Sequence, residues 1–299
     1  MSLLVVGSIA FDSIETPFGK ADSALGGSAL YFSFAASYFT PVRLVGVVGK
    51  DFPLKSLDEF KTRGIDCSGV EVVSGETFRW KGRYEGDMNV AQTLETHLNV
   101  FGDFQPKVPE SFRNTPFVFL ANGSPKTQMS VLQQIVSPTF VVADTMNLWM
   151  RIARPELLEI LAKVDGLILN DEEARELSGQ RNLIRAGREI LKYGPKIVII
   201  KKGEHGAFLF SEFVQFALPA YPTDDVKDPT GAGDTFAGGF MGWLSACGKV
   251  TLSTLKRAMA YGTICASVNV EDFSFAAMRR TDRGRIERRM EEFEQFIQF

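Results

Sequence analysis

Nine residues, DPTGAGDTF from Asp228 to Phe236, set an aspartate on either side of a turn made of Gly231, Ala232 and Gly233. Proline disfavours helix in the residue before it, so Asp228-Pro229 closes a segment. Minimal side chains at 231–233 let backbone amides come close to a ligand. Beyond Asp234, the residues Phe236, Ala237, Phe240, Met241 and Leu244 recur at helical spacing and make one apolar stripe. The turn therefore opens a helix, whose free amides and dipole form an anion site. An acid in that place has two explanations. It can cap the helix. It can also take the proton of a hydroxyl attacking a phosphoryl group held by the amides, because the proton leaves as the oxygen attacks. Amides aimed at charge developing on the transferred group would stabilise the transition state. Phosphoryl transfer is the chemistry this turn could do.

Other residues could share such a site. Asp12 ends VGSIAFD, as an acceptor for ligand hydroxyls or as a turn former. Gly26-Gly27 in ALGGSAL form a ligand-cradling turn or only a loop before a helix. In NDEEA, Asn170 and Glu173 have the spacing of a helix cap and its third helical residue. Asp144 ends TFVVAD at a strand end, where α/β ligand sites gather, or merely turns the chain. Asp51 reads as structural. Lys201 and Lys202 precede Gly203 and Gly206 in KKGEHGA, as phosphate contacts or as a solvated edge.

Competing motifs fail on inspection. GVVGKD (46–51) has two residues between its glycines where a Walker A loop has four, and no Ser or Thr follows its lysine. No G-x-G-x-x-G follows the first apolar run, which leaves a hydride-transferring dinucleotide enzyme without its main support. With His97 and His205 alone, and Cys67, Cys247 and Cys265 dispersed, a zinc site is not expected. Ser/His/Asp chemistry has no nucleophile elbow. The balance of 33 basic and 36 acidic residues gives −3, with no pull toward nucleic acid or anionic membrane. No apolar run approaches the ~20 residues that span a bilayer. MSLLVVGSIAFD reads as a first strand rather than a signal peptide. An odd number of scattered cysteines suits a reducing compartment, and a cytoplasmic protein is expected.

The elements that must position these residues alternate along the chain. LLVVGS (3–8), VRLVGVVG (42–49), PFVFLA (116–121), TFVVAD (139–144), GLILN (166–170) and KIVIIKKG (196–203) read as strands with helical patterns between them. Continuous apolar runs are what strands buried on both faces require, so a mostly parallel central sheet with helices on both faces is expected. SALYFSFAASYF (28–39) has helix length, and a helix is expected near 54–63. The region 69–101 breaks this rhythm with short, alternating segments around Phe78, Trp80 and Tyr84, and reads as a small β-flap inserted in one domain spanning 1–299. RRTDRGRIERRMEEFEQF reads as a closing helix with a solvated charged face.

Taken in their order along the chain, these stretches resemble the ribokinase-like (PfkB) family of sugar and nucleoside kinases. DPTGAGDTFAGGF is similar to its C-terminal signature, VGSIAFD to its opening strand, ALGGSAL to its paired-glycine turn, and GVVGKD to another landmark. Asn170 to Glu173 matches N-x-x-E, and KKGEHGA resembles the G-x-x-G turn of the nucleotide site. The resemblance implies an α/β fold with the β-flap as a lid, and ATP and Mg²⁺ as cofactors. Asp234 would be the base, and the amides of Gly231, Ala232 and Gly233 the anion hole. Asp12, Gly26, Gly27 and Tyr31 would meet the acceptor, and Lys201, Gly203 and Gly206 the nucleotide. Asn170 and Glu173 would organise the metal through water, and Asp228 would bear on a monovalent cation. Implied partners are a small sugar or nucleoside, with neither nucleic acid nor membrane, and a homodimer through the lid. Three departures stand out. Tyr31 occupies the place where many relatives carry a sugar-contacting asparagine. Lys201 replaces the usual threonine of the nucleotide turn. VNVEDFS (268–274) differs from the segment that completes the cation site in relatives. The expected reaction is phosphorylation of a hydroxymethyl group on a sugar. The alternatives are a nucleoside, a sugar phosphate (for which Arg79, Lys81 and Arg83 alternate in the flap) and a non-catalytic ligand sensor.

Overall fold

In the computed structural model, which describes residues 1–298, the chain forms thirteen strands among the described residues. They are β1 (Leu3–Val6), β2 (Ala10–Thr16), β3 (Gly19–Gly26), β4 (Val42–Val48), β5 (Ile65–Val72), β6 (Phe78–Tyr84) and β7 (Ala91–His97). There follow β8 (Phe117–Leu120), β9 (Phe140–Asp144), β10 (Gly166–Asn170), β11 (Ile197–Lys201), β12 (Ala207–Ser211) and β13 (Gln215–Leu218). Nine strands make one sheet in the order β13-β12-β11-β10-β9-β8-β1-β4-β5. Every pairing from β11 to β5 is parallel, and only the β11–β12 and β12–β13 pairings at the edge are antiparallel.

Side chains alternate across a strand, so each apolar run feeds two cores. Leu3, Val5, Phe117, Phe119, Ile197 and Ile199 face one side, against the helices Ser28–Ala36, Ala232–Cys247 and Leu252–Asn269. Leu4, Val6, Val118, Leu120, Val198 and Ile200 face the other, against Pro125–Leu132, Arg154–Leu161, Asp171–Ser178 and Leu183–Leu191. This is the doubly covered, mostly parallel sheet that the continuous runs require. Helix Ser28–Ala36 is buried on all sides, which is why its pattern is aromatic rather than amphipathic. Phe32 stacks on Phe119 of β8 with centroids 4.3 Å apart. The helix that begins at Ala232 approaches it closely: a Cβ on Gly238 would lie 2.3 Å from the Phe32 carbonyl oxygen.

The small sheet differs from the expected flap. Its order is β3-β2-β6-β7, so half of it comes from residues 10–26 rather than from 69–101. Gly69 to Val72 belong instead to β5, which pairs with β4 at the edge of the large sheet. The chain leaves β1 at Val6 and re-enters the second sheet at Ala10, so VGSIAFD is not a single strand. Ala10, Asp12, Ile14 and Thr16 are buried in alternation with Phe11, Ser13 and Glu15, as a sheet covered on one face demands.

The C-terminal helix Arg283–Phe296 is less solvated than its charge suggests. Arg285 and Arg289 both grip Glu271, and Arg289 Nη1 also donates to Ser267 Oγ at 2.9 Å. Arg289 and Glu271 are nearly enclosed, with side chains 10% and 14% exposed. The pair tethers the segment whose Val270 carbonyl accepts the amides of Lys227 (2.7 Å) and Asp228 (3.2 Å). Removing one partner of a buried pair costs about 3–5 kcal/mol. Because Arg285 remains on Glu271, Arg289→Ala is expected at the low end, about 3 kcal/mol, read as a fall in the denaturant midpoint. A change below about 0.5 kcal/mol would reduce the pair to a surface contact.

Candidate active site

The turn at 228–234 is built by contacts far apart in sequence. Asp228 is 1% exposed; its Oδ1 accepts the Thr230 amide at 2.9 Å, and its Oδ2 has no partner among the described residues. Asn269, equally buried, donates to the Thr230 carbonyl at 2.8 Å and accepts from Thr235 Oγ1 at 3.2 Å. Between these fixed flanks Gly231 takes φ 74°, ψ 0°, a left-handed conformation that glycine adopts without strain. It is the N-cap of helix Ala232–Cys247, and no side chain caps that helix. Asp234 therefore does not cap. It sits half-buried in the first helical turn with its carboxylate left for other work.

Asp234 is pushed up to about 7, first by loss of solvent and then by the charge of Asp144, with Lys201 pulling the other way. Glu173 is pushed up to about 8 by burial, Asp144 and Asp234, again opposed by Lys201. The buried Asp144 is raised too, and Lys201 opposes it in the same way. Three carboxylates and one ammonium thus share the end of β9, β10 and β11. Asn170 and Glu173 form a reciprocal capping box: Glu173 donates its amide to Asn170 Oδ1 (2.8 Å), and Asn170 donates its amide to Glu173 Oε2 (2.7 Å). The cap and the site coexist, because the same glutamate also faces Asp144 and Asp234. No group of three or more His, Cys, Asp or Glu could enclose a metal directly among the described residues. The surplus negative charge here nonetheless fits a divalent cation held through water, with Glu173 and Asn170 as the residues that would orient it.

On the small-sheet side, Asp12 is 5% exposed and pushed up to about 7. Burial is the main cause; the Gly27 amide opposes it, and Asp234 and Asp228 add to it. Its Oδ2 lies 2.0 Å from where a Cβ on Gly26 would stand, so glycine is the residue that admits this carboxylate. Tyr31 lies between the paired glycines and the anion turn. It is 1% exposed, stacks on Phe275 (centroids 4.7 Å apart), and its ring would meet a Cβ on Gly231 at 2.5 Å. Burial, Asp12, Asp228 and Asp234 hold its phenol well above the usual value, with the neighbouring Ser274 side chain pulling the other way.

Of the remaining candidates, Lys201 Nζ reaches the anion turn, 2.6 Å from the Cβ position of Gly233. Lys202 lies over the Phe208 ring at 3.9 Å and takes no part. Gly203 and Gly206 are both left-handed, with φ 54° and 78°, and form the turn after β11. Asp51 is structural: against burial, the Thr77 hydroxyl and amide and the Arg79 guanidinium hold it below the usual carboxylate range. Two participants escaped sequence reasoning. Asn269 carries no local signal of its role. Asn89, in the loop after β6, donates to Glu204 Oε1 at 2.9 Å and so joins the small sheet to the Gly203–Gly206 turn. Its preceding residue, Met88, is buried at φ 56° against Ile14 and Tyr84.

The family described as pfkB family carbohydrate kinase matches residues 18–281. A cytidine kinase of Thermococcus kodakarensis is 29% identical over 81% of this chain and 87% of its own length. The nucleoside kinase of Methanocaldococcus jannaschii superimposes with a TM-score of 0.77 over 97% of this chain and 98% of that one, at 20% identity. An E. coli protein crystallised with ATP and Mg²⁺ gives 0.77 over 97% and 99%, at 19% identity. No helix among the described residues is long and apolar enough to cross a membrane.

Proposed function

The chain belongs to the pfkB family of carbohydrate kinases, and from that premise we propose that it transfers the γ-phosphoryl group of ATP to the hydroxymethyl group of a sugar, with Mg²⁺. The observation that carries this reading is Asp234. It stands uncapped in the first turn of an anion-binding helix, with a carboxylate poised near neutrality. The acceptor hydroxyl gives its proton to Asp234 while its oxygen attacks phosphorus. The amides of Gly231, Ala232 and Gly233 hold the oxygens on which charge gathers. Mg²⁺, when bound, neutralises charge on the phosphates, oriented through water by Asn170 and Glu173. The small sheet acts as a lid that excludes water; its loop meets the nucleotide turn of Gly203 and Gly206 through Asn89.

A second acceptor, a nucleoside, is supported by the apolar wall that the lid offers beside Asp12. Trp80 pairs with Asp12 across the β2–β6 ladder and packs with Ile14, Tyr84 and Met88, next to Phe273. A sugar phosphate is less well served, since Arg79, Lys81 and Arg83 already pair with Asp51, Glu95 and Glu15. The unpartnered Asp228 Oδ2 suits a monovalent cation. Exposed Phe18, Val90 and Leu94 on the lid suit a homodimer, and three free cysteines suit the cytoplasm.

The test is ADP release across a matched panel of pentoses, hexoses and nucleosides, with identification of the product. Release with no acceptor on the panel would remove the reading. Asp12→Ala is expected to raise the acceptor KM about tenfold or more, because alanine cannot accept a hydroxyl hydrogen bond. The KM for ATP should stay within a few-fold, and equal weakening of both would indicate misfolding instead.

A further inference from the structure

β11 ends on Lys201, beside Asn170 at the end of β10, at the edge of the sheet where open α/β folds bind ligands. Its side chain runs from there to the anion turn, where Nζ would stand 2.6 Å from a Cβ on Gly233. Five lysines elsewhere in the chain, Lys20, Lys61, Lys81, Lys192 and Lys196, are taken up by carboxylates, while others at the surface, such as Lys202 over the Phe208 ring, are not. Lys201 forms no such pair among the described residues, although Asp144, Glu173 and Asp234 all feel its charge. An ammonium with three donors is thus kept unspent beside the amides of the anion turn. A ligand anion seated on those amides would complete it.

Building on the phosphoryl-transfer reading, we propose that Lys201 is a catalytic residue that grips the phosphoryl group during transfer, rather than an anchor for the nucleotide. The acceptor oxygen forms a bond to the γ-phosphorus as the bond from that phosphorus to the β–γ bridging oxygen breaks. The hydroxyl proton passes to Asp234, and ADP leaves with the electron pair of the broken bond. Lys201 stays protonated and forms no covalent bond. Its charge faces the equatorial oxygens, where negative charge is spread in the transition state. A threonine in this place would offer a hydroxyl without charge.

Binding of Mg·ADP and of Mg·AMP-PNP, the imido analogue that keeps a γ-phosphoryl group, tests this by calorimetry with no acceptor needed. Lys201→Met is expected to lose about tenfold or more in affinity for AMP-PNP, with ADP affinity within about threefold. Lys201→Arg should keep most of the preference, and Lys201→Gln carries the same comparison should the methionine variant fail to fold. In turnover with ribose or cytidine, whichever the wild type phosphorylates, kcat should fall about 10²–10³ with the KM for ATP changed several-fold at most. Equal weakening of ADP and AMP-PNP makes Lys201 a nucleotide anchor and overturns the proposal, as does an undiminished kcat. A wild type that binds neither nucleotide overturns the kinase reading itself, a result distinct from either.

Discussion

Asp234→Asn is expected to lower kcat by about 10²–10⁴ while leaving acceptor affinity within a few-fold. The substitution keeps size and polarity and disturbs no cap, since Asp234 caps nothing. It removes only the atom that takes the proton. In the wild type, kcat/KM should rise with pH through about 7, as the raised Asp234 ionises, and this limb should be missing from any residual activity of the variant. Stability should move in the opposite direction. The folded-state value of about 7 lies above the ordinary 3.8, so the folded protein holds this proton more tightly than the unfolded chain. That contribution is fully present below pH 3.8 and is lost as pH rises through about 7. Asparagine cannot ionise, so the variant should melt above the wild type at pH 8, by a larger margin than at pH 5. An inactive protein that is more stable excludes misfolding as the cause. Near-normal turnover would remove Asp234 from the chemistry.

Residues that act through their neighbours in sequence were readable in advance; those that act across the fold were not. The strands FVFL, GLILN and IVIIK announce themselves because a strand buried on both faces must be apolar throughout. The crossing from β1 to β2 is hidden, because the apolar run continues through Ile9 to Phe11 while the chain changes sheets. Burial alternates just beyond, with Asp12, Ile14 and Thr16 inside and Ser13 and Glu15 turned outward. The residue types do not alternate, because Asp12 and Thr16 are as polar as their outward neighbours. At the site, Asp234 and the glycines of its turn form a local pattern with a local meaning. The direction of Lys201 is not local. Lys201 is the last residue of β11 and Lys202 the first beyond it, and the pairing of Lys201 with Asn170 of β10 is what brings the first of them to the anion turn. Glu271 and Asn269 act on partners that are near only after folding, so the arginines of the last helix read as solvent-facing when two of them tether the site's far flank.

Gly231→Ala should cost about 10² or more in kcat, without any reacting group being removed. Two effects combine at this residue. An alanine in the left-handed conformation costs about 1–2 kcal/mol. Its methyl would also stand 2.5–2.6 Å from three atoms of the Tyr31 ring. That ring cannot withdraw, because it is 1% exposed and stacked on Phe275, itself fully buried. Nor can the turn shift as a whole, since Asp228 holds the Thr230 amide and Asn269 holds its carbonyl. The displacement must fall on the amides of 231–233, and a misplacement of about 1 Å at a reacting centre costs on the order of 10² in rate. Overpacking of this kind destabilises by about 1–3 kcal/mol, so the variant should still fold. Tyr31→Leu in the same chain removes the ring and tests the cause. If the collision moves the amides, the double variant should recover at least tenfold of the lost kcat, an interaction of about 1.4 kcal/mol that independent sites would not show. Recovery of nothing would leave backbone strain at 231 as the whole effect. A Gly231→Ala enzyme with wild-type kcat would instead show that these amides do not hold the group being transferred.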